Sequence, residues 1–158
     1  MAKTTTFPAP QTITTISTIL LPSQAAQSIS STGVLTVGGT DSQLIFTASS
    51  EGSILKTLRI ASNDINARYV SLWVGKGSSG PITLLGTVPV PATSGLSATG
   101  ILANVDILGS SVISGLTFDN CGRPVIELEA NSRVYLGLVA QLTSTRCLFV
   151  SGESNDMI

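Results

Sequence analysis

The 158-residue sequence offers few side chains that could do chemistry, and it has no histidine at all. That removes Ser-His and Cys-His nucleophilic pairs, the usual neutral-pH base and most zinc sites. Two cysteines, Cys121 and Cys147, allow at most one disulfide. Without a visible secretion signal they read as free thiols. Glu127 and Glu129 lie two apart, so on a strand both carboxylates project from one face. Such a pair could serve a glycosidase or a cation, but strand alternation already explains it as a solvated face opposite Ile126 and Leu128. Asp41, Glu51, Asp64, Asp106 and Asp119 fall near expected strand ends and do not match calcium-loop spacing. Gly75-Lys76-Gly77 echoes a phosphate loop but lacks the Gly-Lys-Ser/Thr ending and a following helix. Tyr69 and Trp73 are candidate contact aromatics. With Ser71 between them they share one strand face, which could stack on a sugar or meet another subunit. The residues thus support no catalytic, cofactor or metal site, and the chain reads as a binding protein and not an enzyme.

Composition points the same way. Hydrophobic residues make up 42% of the chain and charged residues only 11%. Serine (22) and threonine (19) supply about a quarter of it, so the surface carries hydroxyls in place of charges. With a net charge of −1 it has little self-repulsion, which suits a subunit packed into an assembly. The eight Lys and Arg residues are scattered, which argues against nucleic acid as a partner. The start, MAKTTTFPAPQTITT, has no apolar signal-peptide core, and Ile19-Leu20-Leu21 is too short to span a bilayer. No membrane partner is expected.

The elements that must position these residues are strands. Residues 1–40 hold Pro8, Pro10 and Pro22 among Ser, Thr and Ile, with no helical period. They read as an extended N-terminal arm, with edge-strand segments near Thr12–Leu20 and Val34–Val37. Its apolar residues Phe7, Pro8, Ile13, Ile16, Ile19, Leu20 and Leu21 are the candidate inter-subunit contacts. Residues 41–152 read as a β-sandwich domain. Period-two alternation marks strands at Ser53–Ala61, Arg68–Lys76, Arg123–Ala130, Arg133–Gln141 and Thr145–Gly152. Gln43–Thr47, Ile82–Val88 and Ile101–Ile107 are further candidates. The inward residues are expected to be Ile54, Leu58, Ile60, then Val70, Leu72, Val74, then Val134, Leu136, Leu138, Ala140, and Leu148, Val150. Turns fall at 63–66, 75–81, 89–95, 120–122 and 131–132, and Leu108–Phe118 is the least legible segment. Residues 153–158 read as a short polar C-terminal tail. The fold class is therefore all-β: an antiparallel β-sandwich or jelly roll with an extended arm.

Two stretches resemble a known group. The run LKTLRIASNDINARYVSLWV, beginning at Leu55, is similar to a strand–turn–strand pattern of small tailed-bacteriophage virion proteins. IELEANSRVYLGLVAQLTSTRCLFVSG, from Ile126 to Gly152, resembles their closing hairpin. That group includes capsid decoration (cement) proteins, head fibres, and neck or tail accessories. The resemblance implies an oligomerising β-sandwich, a homotrimer above all, made in the bacterial host cytoplasm and located in the virion. Its partners would be the major capsid protein and other virion proteins. The leading expectation is a decoration protein that binds the capsid surface and bridges neighbouring subunits by strand addition from Thr12–Leu20. The alternatives are a head-fibre, neck or tail accessory subunit, or a carbohydrate-binding host-attachment module.

Overall fold

Ten strands, two of them only two residues long, organise the described residues. The computed structural model describes residues 12–20, 42–77, 81–95 and 104–157. The strands are β1 (Ile13–Leu20), β2 (Ser42–Thr47), β3 (Ser53–Ser62), β4 (Arg68–Gly75), β5 (Ile82–Val90), β6 (Val105–Asp106), β7 (Thr117–Phe118), β8 (Pro124–Leu128), β9 (Arg133–Leu138) and β10 (Leu148–Asp156). No helix occurs among the described residues. β1, β10, β3, β8 and β7 form one antiparallel sheet in that order, with β6 also paired to β3. β2, β9, β4 and β5 form a second sheet, also antiparallel. The fold is thus the expected all-β sandwich.

One core lies between the sheets. Ile16, Leu20, Leu55, Leu58, Ile60, Ile126, Leu128, Leu148 and Val150 fill it from the first sheet. Phe46, Val70, Leu72, Val88, Val90, Val134, Leu136 and Leu138 fill it from the second. With few aromatics, the interior is built from branched aliphatic side chains, each contributing roughly 1.5–3 kcal/mol when fully buried.

Several expectations need correction. The inward set of β3 is Leu55, Leu58 and Ile60, with Ile54 only half-buried. The cause is a β-bulge: Thr57 pairs with Glu153 and Leu55 with Ser154, leaving Lys56 as the extra residue. An inserted residue shifts the alternation by one, so the phase before the bulge is opposite to the phase after it. Gly152 sits beside this irregularity, where an added Cβ would lie 2.4 Å from the carbonyl oxygen of Thr57. Only glycine lets the two backbones approach so closely.

Thr12–Leu20 is an edge strand as expected, but it joins its own sheet, pairing with β10 from Ile13↔Asn155 to Leu20↔Leu148. Most of the expected tail is also strand. β10 continues to Asp156, and Ser154 and Asn155 are buried. Pro89 lies inside β5 and not in a loop; β5 is an edge strand, where a missing N–H is tolerated. β9 stops at Leu138 and leaves Ala140 exposed. Of Ile101–Ile107 only Val105–Asp106 is strand among the described residues. The Val34–Val37 segment lies outside them.

Candidate interaction surface

Among the described residues nothing covers the β1 side of the outer face of the six-stranded sheet. β1 turns Ile13, Thr15, Ser17 and Ile19 outward, all exposed, while Ile16 and Leu20 enter the core. Thus two of the candidate arm contacts serve the chain's own interior. Phe7, Pro8 and Leu21 lie outside the described residues. The register sets the outward side chains in rows. Ile19, Phe149 and Ala61 form one, Ser17, Ser151 and Arg59 the next, and Thr15, Glu153 and Thr57 the third. Ile13 (66% exposed), Ile19 (45%) and Phe149 (38%) stand in solvent among hydroxyls, with the charges of Arg59 and Glu153 in the two neighbouring rows. Such a surface repels a second protein weakly and holds little ordered charge hydration to displace.

The other outer face is divided. Tyr69 is exposed and stands in a row with Pro89 and Val139, both exposed as well. Trp73 is buried against Tyr135, its cross-strand partner, and Ile82 packs on the pair. Arg133 holds its guanidinium carbon 5.9 Å from the centre of the Tyr135 ring. Ser71 is buried between the two aromatics of β4 and hydrogen-bonds Thr87 at 2.7 Å. Tyr69 and Trp73 therefore share a face but not an exposed platform, which removes the geometry a sugar-stacking site requires.

No family model matches this sequence, and no curated protein matches it. Among solved structures, a chain of the cyanophage Pam1 capsid asymmetric unit is similar over 99% of this chain and 97% of that one. The identity is 12% and the TM-score 0.42.

Most titratable side chains are solvated. Glu127 and Glu129 are exposed, as the alternation predicts, and Glu129 pairs with Lys76 at 2.9 Å between two solvated side chains. No group of three or more Cys, Asp or Glu side chains able to hold a metal occurs among the described residues. Cys121 and Cys147 are free thiols.

The exception is Asp64, fully buried at one end of the sandwich. Its carboxylate accepts from Arg68 Nε at 2.8 Å, from Thr143 N at 2.9 Å, from Thr143 Oγ1 at 2.7 Å and from Asn66 N at 3.0 Å. Thr143 Oγ1 in turn accepts from Arg68 Nη2 at 2.9 Å. The carbonyl of Asp64 accepts from Thr93 N at 2.8 Å. Three connecting segments, 62–66, 91–94 and 142–147, are thereby tied together. Burial alone would raise the Asp64 carboxyl, but the Arg68 hydrogen bond and the donors of Thr143 and Asn66 outweigh it. They hold the group well below the usual carboxylate range. The sequence marked Asp64 only as a turn residue; its partner Thr143 lies 79 positions away, and no local pattern joins them.

Proposed function

We propose that this chain is a structural subunit of a tailed-bacteriophage virion. Within that class we propose a capsid decoration (cement) protein that binds the shell and bridges neighbouring subunits. Its partners are then the major capsid protein and further copies of itself. It is made in the host cytoplasm, works in the particle, and carries no catalytic role. The observation that supports this reading most is the β1 side of the outer face of the six-stranded sheet, with its exposed Ile13, Ile19 and Phe149 set among hydroxyls at an uncharged edge strand. Exposed apolar groups beside an uncharged, hydroxyl-rich edge strand fit an assembly contact better than a free monomer. The resemblance of the Leu55 and Ile126 stretches to phage virion proteins agrees with it.

A head-fibre, neck or tail accessory subunit is the neighbouring reading, and copy number separates the two. Quantitative mass spectrometry of purified particles should find this chain at an abundance comparable with the shell protein. Abundance at the level of a single ring would assign it to the neck or tail. Absence from particles would refute the proposal.

A further inference from the structure

Among the described residues the side of β1 away from β10 is unpaired and chemically unguarded. Asp156 N donates to the carbonyl oxygen of Thr12 at 3.1 Å, so even-numbered residues of this strand present their main-chain groups to β10. Those groups alternate sides along an antiparallel strand. Ile13, Thr15, Ser17 and Ile19 therefore point their N–H and C=O groups away from β10, where no described strand lies. Natural sheet edges are protected by lysine, proline, a bulge or very short length. β1 runs for eight residues, ITTISTIL, with no charge, no proline and an unbroken register.

We propose that a second copy of this chain docks there, β1 against β1, antiparallel across a twofold axis. The proposal rests on the structural-subunit reading and names the partner of that surface. The register follows from the pleat. Opposed residues in an antiparallel pair point to the same face, so paired residue numbers must sum to an even value. Among such registers, only the one with Ile16 on the axis gives every edge-facing residue a partner. Ile13 then meets Ile19 of the partner subunit, and Thr15 meets Ser17 of the partner subunit. Four residues per strand, each with one donor and one acceptor, make eight main-chain hydrogen bonds across the axis. That lies within the roughly 10 ± 5 direct hydrogen bonds of a typical specific interface.

Side chains agree with this register. The row Ala61, Phe149, Ile19 is extended by Ile13 of the partner subunit, so an apolar strip crosses the axis. The row through Glu153 and Thr15 continues into Ser17 of the partner subunit and Ser151 of the partner subunit, so the carboxylate meets no like charge. The contact is isologous and closes as a dimer, in place of the trimer that the resemblance implies.

Light scattering on the full chain at tens of micromolar tests this, with Ser17→Lys and Ser17→Pro as variants. Both spare the bonds to β10, because the Ser17 N–H faces the open side. A dimer mass for the native chain is expected, with monomer mass for both variants and, for Ser17→Lys, a melting temperature that no longer rises with protein concentration. A monomeric native chain, or an oligomer that survives Ser17→Lys, overturns the proposal. Should Ser17→Pro fail to fold, Ser17→Lys decides alone. Particle content is measured separately: a dimer absent from particles refutes the virion reading and keeps the edge contact, and a particle-borne monomer does the reverse.

Discussion

Replacing Asp64 by alanine should destabilise the protein severely, although the residue touches no proposed partner. The carboxylate is fully buried and Arg68 is only 14% exposed, so water cannot replace the lost acceptor. Four donors lose their bond: Arg68 Nε, Thr143 N, Thr143 Oγ1 and Asn66 N. Removing one partner of a buried ion pair costs about 3–5 kcal/mol. For a domain of this size 1 kcal/mol moves the melting temperature by roughly 2–4 °C, so a fall of about 6–20 °C is expected. The acid limb gives a second signature. A carboxyl held low in the folded state contributes stability that is fully present above the unfolded value of about 3.9. It is lost progressively as pH falls below that value. Urea denaturation at pH 7 and at successive steps below pH 5 would measure both. Asp64→Asn should be less stable than the native chain at neutral pH and should lose less on acidification. A cost under about 1 kcal/mol, or an acid limb that Asp64→Asn leaves unchanged, would refute the reasoning.

Three other substitutions test the packing. Leu55→Ala should cost about 2–5 kcal/mol in chemical denaturation and Ile54→Ala clearly less, because the bulge at Lys56 turns Leu55 inward; the reverse order would mean the bulge is misplaced. Trp73→Ala should cost about 3–5 kcal/mol by the same assay and leave glycan-array binding as it is in the native chain, since the indole packs on Tyr135. Glu127→Ala should change stability by no more than about 0.5 kcal/mol, against about 2–5 kcal/mol for Leu136→Ala; comparable losses would invert the assigned faces of β8 and β9.

Alternation carried most of the fold. β4, β8 and β9 were legible because Val70 and Leu72, Ile126 and Leu128, and Val134 and Leu136 keep period two with no inserted residue in these strands themselves. The reading failed where a long-range event changed the phase or the boundary. Nothing local to Lys56 announces a bulge, since its cause is the register with residues 153 and 154. Polar composition concealed the strand at Glu153–Asp156, whose place between β1 and β3 is decided by pairing and not by propensity. The face shared by Tyr69 and Trp73 was legible, but their opposite exposures were not, because burial of Trp73 depends on Tyr135 from β9. The edge character of Thr12–Leu20 was also visible, while its docking within the chain came from residues over a hundred positions away.

The placement of β10 sets a timetable for biogenesis. It is the strand between β1 and β3, and its partners in β1 are 128 to 142 residues distant, from Leu20↔Leu148 to Ile13↔Asn155. Pairing over such separations is slow, because loop closure must precede any reward from contact. Until residue 156 has left the ribosome, β1 has no partner in its sheet and β3 lacks its longest one. During synthesis the chain thus carries two unsatisfied strand edges, one of them, β1, without any charge, the condition under which nascent chains recruit one another. A protein made in abundance on clustered ribosomes would meet its own copies at that stage. Its yield of soluble subunits should then fall steeply with expression rate, even where the finished fold is stable.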